Sequence, residues 1–217
     1  MLRHLDRSIE EIRAKLDIVA GLACKAVEGA AASALELRAD LAQKVVAGDT
    51  AIDSAEVELE ELCLRVLALY QPVAQDLRNV IAALKINNDL ERIGDLSVSI
   101  ALRVQKIAGK QLPFIIPIEK MSSLCISLLK DSMIAFHKGD TSLARKVWER
   151  DSEVNELHRT NYGLLQNRMR EDPDNIESYV SYLSISRNFE RIADHATNIA
   201  EDVIYLIDGE IVRHTKL

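Results

Sequence analysis

Glu91-Arg92-Ile93-Gly94-Asp95 places two carboxylates at i and i+4, one above the other on a helix face. The pentapeptide returns as Glu190-Arg191-Ile192-Ala193-Asp194, from position 91 to position 190, 99 residues on. Like charges at that spacing repel by roughly 0.2–0.5 kcal/mol on an isolated helix. One such pair reads as a charged helix surface balanced by Arg92 or Arg103. Two copies at matching places in a duplicated chain call for a shared charged neighbour, a metal ion or a cationic surface.

A preceding helix brings more acids to the same level. Asp49, Asp53, Glu56 and Glu60 share one of its faces. If the chain turns at Gln71-Pro72, Asp53 and Glu91 both lie roughly 27–30 Å from the turn, at 1.5 Å per helical residue. In the second half, with a turn at Pro173, Asn155 comes level with Glu190 and Asp151 with Asp194. The residues therefore predict two all-oxygen metal sites. One is built from Glu91, Asp95, Asp49, Asp53 and Glu56, the other from Glu190, Asp194 and Asp151.

Clustered carboxylates suit Mg²⁺, Ca²⁺, Mn²⁺ or iron; Zn²⁺ ordinarily recruits His or Cys. His158 stands where the first half has Glu56 and is a candidate for the second site. His195 points about 100° away from Asp194 and reads as a surface histidine. Asn155 replaces the acid found at Asp53, so the second site is expected to hold metal more weakly. The E-x-x-H pattern of di-iron oxidases is absent from both pentapeptides. No phosphate loop, nucleophile elbow or Cys–His pair appears, so no enzyme activity is expected.

These side chains must ride on helices. The chain is rich in Ala, Leu, Ile, Glu, Arg and Lys, with 4% aromatics and few glycines and prolines. Breakers at Gly48-Asp49-Thr50, Gln71-Pro72, 109–117, Gly139-Asp140-Thr141 and Asp172-Pro173-Asp174 predict helices near 3–47, 50–70, 72–108, 117–138, 141–170 and 174–207. The fold class is all-α: six long helices as two tandem three-helix bundles related by pseudo-twofold symmetry, over 1–110 and 111–217. In the third helix, Ile86, Leu90, Ile93, Ile100 and Val104 form a core stripe. A second seam, Leu77, Ile81, Leu84, Asn88, Glu91, Asp95, Val98, Leu102, is apolar at its ends and charged in its middle. The core stripe of the second helix runs Ile52, Ala55, Leu59, Leu62, Val66, Leu69.

A formal charge of −7 argues against nucleic-acid binding. Cys24, Cys63 and Cys125 are scattered, as expected of reduced, buried thiols in a cytoplasmic protein. No secretory signal and no apolar run of about 20 residues is evident, so membrane contact is expected only through a partner.

Gly48-Asp49, Ile52-Asp53, Glu56, Gln71-Pro72, Asp76-Leu77-Arg78 and the first pentapeptide resemble the PhoU family of phosphate-signalling proteins. Asp151, Val154-Asn155, Arg187, the second pentapeptide and Asn198-Ile199 extend the resemblance over essentially the whole chain. The resemblance implies a cytosolic negative regulator of phosphate uptake and of the phosphate-starvation response. It would act between the ATPase subunit of a phosphate ABC transporter and a sensor histidine kinase. It also implies metal at the E-x-x-x-D motifs. Amphipathic helices with spare apolar stripes suggest a homodimer, and Asp76, Arg78, Arg92 and Arg191 are candidate partner contacts. The alternative reading is a helical metal-storage protein without a signalling role.

Overall fold

A computed structural model describes residues 2–110 and 116–209. Six helices follow one another: α1 (Leu2–Glu36), α2 (Ala39–Tyr70), α3 (Ala74–Ile107), α4 (Ile118–Lys138), α5 (Thr141–Glu171) and α6 (Ile176–Asp208). A short 3₁₀ turn, Pro173–Asn175, leads into α6. No strand occurs among the described residues. The predicted division between the halves, at 110/111, lies against residues 111–115, outside the described residues.

The helices α1, α2 and α3 pack on one another, as do α4, α5 and α6, and α3 lies along α6 to join the two groups. A second seam between the groups runs from α1 to α4. Helical spacing explains this arrangement. In α1, Leu5, Ile9, Ile12, Leu16, Val19, Ala23, Val27 and Ala30 recur every three or four residues and are all buried. The predicted stripe of α3 is fully buried at Ile86, Leu90, Ile93, Ile100 and Val104. Burial of each such side chain stabilises the fold by roughly 1.5–3 kcal/mol.

Four expectations need correction. The first break lies at Leu37-Arg38, not at Gly48-Asp49-Thr50, which is interior to α2. Leu37 takes a left-handed φ of 49°, and the Arg38 amide bonds back to the Ser33 carbonyl at 3.2 Å. Arg38 also reaches Glu36 and Asp40, pinning the turn from both sides. The hairpin then brings Gly29 of α1 so close to Val45 that a Cβ there would lie 2.9 Å from its Cγ2. Gly48 has no such neighbour and simply continues the helix, so Asp49 carries its carboxylate in mid-helix and is no cap.

Second, α3 starts at Ala74, two residues after Pro72, because Gln71 (φ 45°) and Ala74 (φ 49°) are both left-handed. Third, the α2 stripe ends at Val66; Leu69 is 68% exposed. Fourth, α1 is long and apolar enough to cross a membrane by composition, with a stretch of mean hydropathy 1.5. Its many alanines escape a search for runs of large apolar residues. That helix packs on α2, α3 and α4, and its buried stripe is part of the core.

Candidate functional site: two carboxylate patches

The first patch forms where α2 and α3 cross closely. A Cβ at Gly94 would meet Ile52 Cδ1 at 2.9 Å and Cγ2 at 3.3 Å, so the glycine lets the two backbones approach there. Asn87 of α3 donates to the backbone carbonyl of Glu56 at 2.9 Å and to its Oε1 at 3.3 Å, fixing the register. Asp49, Asp53 and Glu56 then come level with Glu91 and Asp95, as the spacing from the turn predicts.

The protonation behaviour of these groups shows their proximity. Partial burial, then repulsion from Asp53 and Asp95, raises the Asp49 carboxyl above its ordinary range. Glu91 is raised by burial and by Asp95, Glu56 and Asp53, with Arg92 pulling it back. Burial, Glu60 and Asp53 raise Glu56. Arg92 spans the patch, with Nη1 3.1 Å from Asp95 and Nε 3.4 Å from Glu91. Arg103 forms no ion pair with either acid.

The second patch joins α5 and α6. Asp151 is half-buried, and its carboxyl is raised by burial, opposed by the Asn155 hydrogen bond and reinforced by Glu190. Asn155 Nδ2 donates to Asp151 Oδ2 at 2.7 Å. The other oxygen, Oδ1, is buried and makes no hydrogen bond of ordinary geometry among the described residues, although the Thr197 hydroxyl is near enough to help hold the carboxylate's charge. Asp194 is pushed up to about 6 by burial of its carboxyl, then by Asp151 and Glu190, while His195 and Arg191 pull it down. Glu190, Asp194, Asn155 and His158 line one open cleft of about 450 Å³. Beneath lies buried Cys125, whose thiol donates to the Phe189 carbonyl at 3.1 Å; burial, Asp151 and Asp194 push that thiol up.

The close crossing is solved differently in the two halves. The second has fully buried Ala193 where the first has Gly94, and Val154 where the first has Ile52. One methylene fewer on α5 offsets one methyl more on α6.

The candidate ligands thus gather into two patches, but their side chains are splayed. Among the described residues, no three His, Cys, Asp or Glu side chains stand close enough together to share one ion. His158 lines the second cleft, yet its Nδ1 is 3.0 Å from the Ser186 hydroxyl, away from the acids. Still, the chemistry fits a hard cation. The donors are carboxylates, and Asp49, Glu56, Glu91, Asp151 and Asp194 have their charged forms disfavoured first by burial and then by neighbouring acids.

Of the remaining candidates, Asp76 and Arg78 lie in the first turns of α3, where Arg78 Nη2 donates to Gln75 at 2.5 Å. Arg191 is exposed beside the second patch.

A further set of residues escaped sequence reasoning. His195 is not a surface histidine: its Nδ1 is 2.7 Å from Asp89 Oδ1, across the α3/α6 seam. Asn198 donates to the same oxygen at 3.3 Å. Nearby, Lys85 pairs with Asp202 at 3.0 Å and lies 5.1 Å over the Tyr205 ring. The one available signal was the 100° turn between Asp194 and His195, which aims the imidazole at whatever helix packs beside α6.

Comparison with known proteins shows the family. The model of the PhoU domain matches twice, at residues 16–104 and 118–203, each match containing one patch. The chain belongs to the PhoU family. This PhoU-family chain is 40% identical to a phosphate-specific transport system accessory protein PhoU homolog of Aquifex aeolicus, over 97% of the chain and 96% of the relative. It is 37% identical to one from Caulobacter vibrioides, over 97% and 94%. Its fold superposes on the crystal structure of PhoU from Pseudomonas aeruginosa with a TM-score of 0.91 at 34% identity, covering 94% of this chain and 99% of that one. The phosphate transport system regulatory protein PhoU from Streptococcus pneumoniae gives 0.85 at 28% identity, over 98% and 100%.

Proposed function

We propose that this chain is a non-enzymatic, cytoplasmic negative regulator of phosphate uptake and of the phosphate-starvation response. Its relatives are named accessory proteins of phosphate-specific transport, over nearly their whole length. In this reading it links the ATPase subunit of a phosphate ABC transporter to a sensor histidine kinase. Its carboxylate patches bind a hard cation, and it works as a homodimer. Asp76, Arg78, Arg92 and Arg191 supply charged contacts to partners. Ile176 and Val180, 42% and 45% exposed, provide apolar surface for association.

The observation that carries this reading is the doubled patch. Each gathers acids from two helices, and in each, burial, reinforced by repulsion from neighbouring acids, disfavours the ionised form of at least two carboxyls. A divalent cation relieves that repulsion. Asp49, Asp53, Glu56, Glu91 and Asp95 would hold it in the first patch; Asp151, Glu190 and Asp194 would hold it in the second. Glu91 and Glu190, being long and flexible, are the residues best able to swing onto an ion. A bound cation supplies positive charge that locks the two helices of each patch together and changes the charge presented to partners.

Burial reverses the ranking that charge count alone suggests. The first patch has more acids, but Arg92 already neutralises two of them. In the second, no cation bridges two acids among the described residues, and burial raises Asp151 and Asp194 despite the nearby charges of His195 and Arg191. We therefore place the tighter cation site at Asp151, Glu190 and Asp194.

The functional test is a chromosomal Glu190→Ala/Asp194→Ala variant, with Glu91→Ala/Asp95→Ala beside it. Both should accumulate as folded protein and derepress a phosphate-starvation reporter in high phosphate. Full repression by both variants would remove the patches from signalling.

A further inference from the structure

The α3/α6 seam carries a second pair of features related by the duplication. Two clefts open along it, one flanked by residues 99–106 and 184–188, the other by 84–89 and 195–201. They correspond under the same 99-residue offset that relates the two pentapeptides. They have diverged completely in charge.

The cleft at 84–89 is rich in acids. Lys85 pairs with Asp202, Asp89 with His195, and Glu201 also lines it. The cleft at 99–106 has lost every one of those acids. Arg103 stands where the other has Asp202, Asn188 where it has Asp89, and Arg187 where it has Asn88. Lys106 replaces Tyr205. Three cations therefore line a cleft of about 510 Å³ that holds no carboxylate. None of the three makes an ion pair among the described residues. Of the neighbouring acids on the same helices, Asp95 pairs with Arg92, and Glu190 lines the second patch's cleft. Ser99, Ser184 and Asn188 add neutral donors between the cations. In a chain of charge −7, this concentration of unneutralised positive charge is not a general property of the surface.

We infer that this cleft is an anion site for a small oligophosphate. Two guanidinium groups and an ammonium match closely spaced phosphoryl groups, with bidentate contacts from arginine. Hydroxyl and amide donors suit the remaining oxygens. The volume exceeds what a single phosphate fills. Leu102 is the sole large apolar side chain lining it, and no aromatic ring is present for a nucleobase to stack on. The phosphate chain is thus what is recognised, whether it comes as inorganic polyphosphate or as the tail of a nucleotide. This site is independent of the carboxylate patches and of the cation reading.

The test is calorimetric titration of the full chain with sodium tripolyphosphate at low ionic strength, in buffer freed of divalent metals. Saturable one-site binding is expected, at least tenfold tighter than orthophosphate and weakening as salt is raised. ATP should bind comparably to tripolyphosphate, and adenosine should not bind. Arg103→Asp with Arg187→Asn, which installs the other cleft's residues, should weaken binding at least tenfold while leaving helical circular dichroism unchanged. If that pair unfolds, Arg187→Gln at its exposed position should show a smaller loss of the same kind. Glu91→Ala/Asp95→Ala should bind tripolyphosphate as the native chain does. Absence of saturable binding, undiminished binding by the substituted cleft, or tighter binding of a deca-glutamate peptide than of tripolyphosphate would each overturn the assignment.

Discussion

The two carboxylate patches share a pentapeptide and a place in the fold, yet they are different electrostatic objects. The first spreads five acids over α2 and α3 and clamps two of them with Arg92. The second has three acids and an amide at Asn155 that donates to Asp151. With fewer charges, the second patch still holds the most strongly shifted carboxyl: Asp194 is raised to about 6, first by burial of its carboxyl and then by Asp151 and Glu190. Desolvation, more than the number of neighbouring acids, decides how much a carboxylate gains from a cation.

The largest expected effect concerns the helix crossing beneath each patch. Gly94→Ala places a methyl against buried Ile52 and should destabilise the protein by about 1–3 kcal/mol in chemical denaturation. Adding Ile52→Val, which reproduces the pairing of Ala193 with Val154, should recover at least half of that loss. Simple additivity of the two substitutions would show that the crossings are not equivalent.

Asn155→Asp makes the second patch as acidic as the first at that position. It removes the hydrogen bond to Asp151 and adds a like charge beside it, so stability at pH 7.5 should fall by about 1–2 kcal/mol. Saturating Mn²⁺ should restore it. A neutral or stabilising result would mean that Asp151 is better solvated than its burial implies.

The pH dependence of stability separates the patches next. A carboxyl raised from 3.8 to about 6 keeps its proton in the folded state while the unfolded chain releases it. Metal-free protein should therefore lose stability as pH rises from about 4 to 6, with this contribution flat above that. Asp194 is exposed overall, so after discounting for solvent screening the loss is about 1 kcal/mol. Asp194→Asn should flatten this part of the profile, and an unchanged profile would assign it to other groups.

Arg92→Ala should have the smallest effect on stability, under about 1 kcal/mol, because its ion pairs are exposed. Its effect on binding should be larger: several-fold tighter Mn²⁺ at the first patch, by removing the competing guanidinium.

Much of this comparison was legible from residue spacing. Level acids on antiparallel helices follow from counting out from Gln71 and Pro173, and the buried stripe of α3 follows from its period. The break at Leu37 was not legible. It depends on a left-handed non-glycine residue held by Arg38 and the Ser33 carbonyl, whereas Gly48-Asp49-Thr50 carries the turn-forming residues and stays helical. Nor was the α3/α6 seam. Which charged residues meet there depends on how the two halves dock, and Asp89 with His195, 106 positions apart, have no local signature. Likewise, the burial that raises Asp151 and Asp194 comes from packing and has no signature in a count of charges.

The most direct test of this account is Mn²⁺ titration of metal-free protein at pH 7.5, followed by calorimetry and by loss of the free-ion electron paramagnetic resonance signal. The native chain, Glu91→Ala/Asp95→Ala and Glu190→Ala/Asp194→Ala would be compared. Two classes of site are predicted in the native chain. The tighter class should survive the first pair of substitutions and vanish with the second. No binding by the native chain, or equal loss of affinity in both variants, would contradict the account.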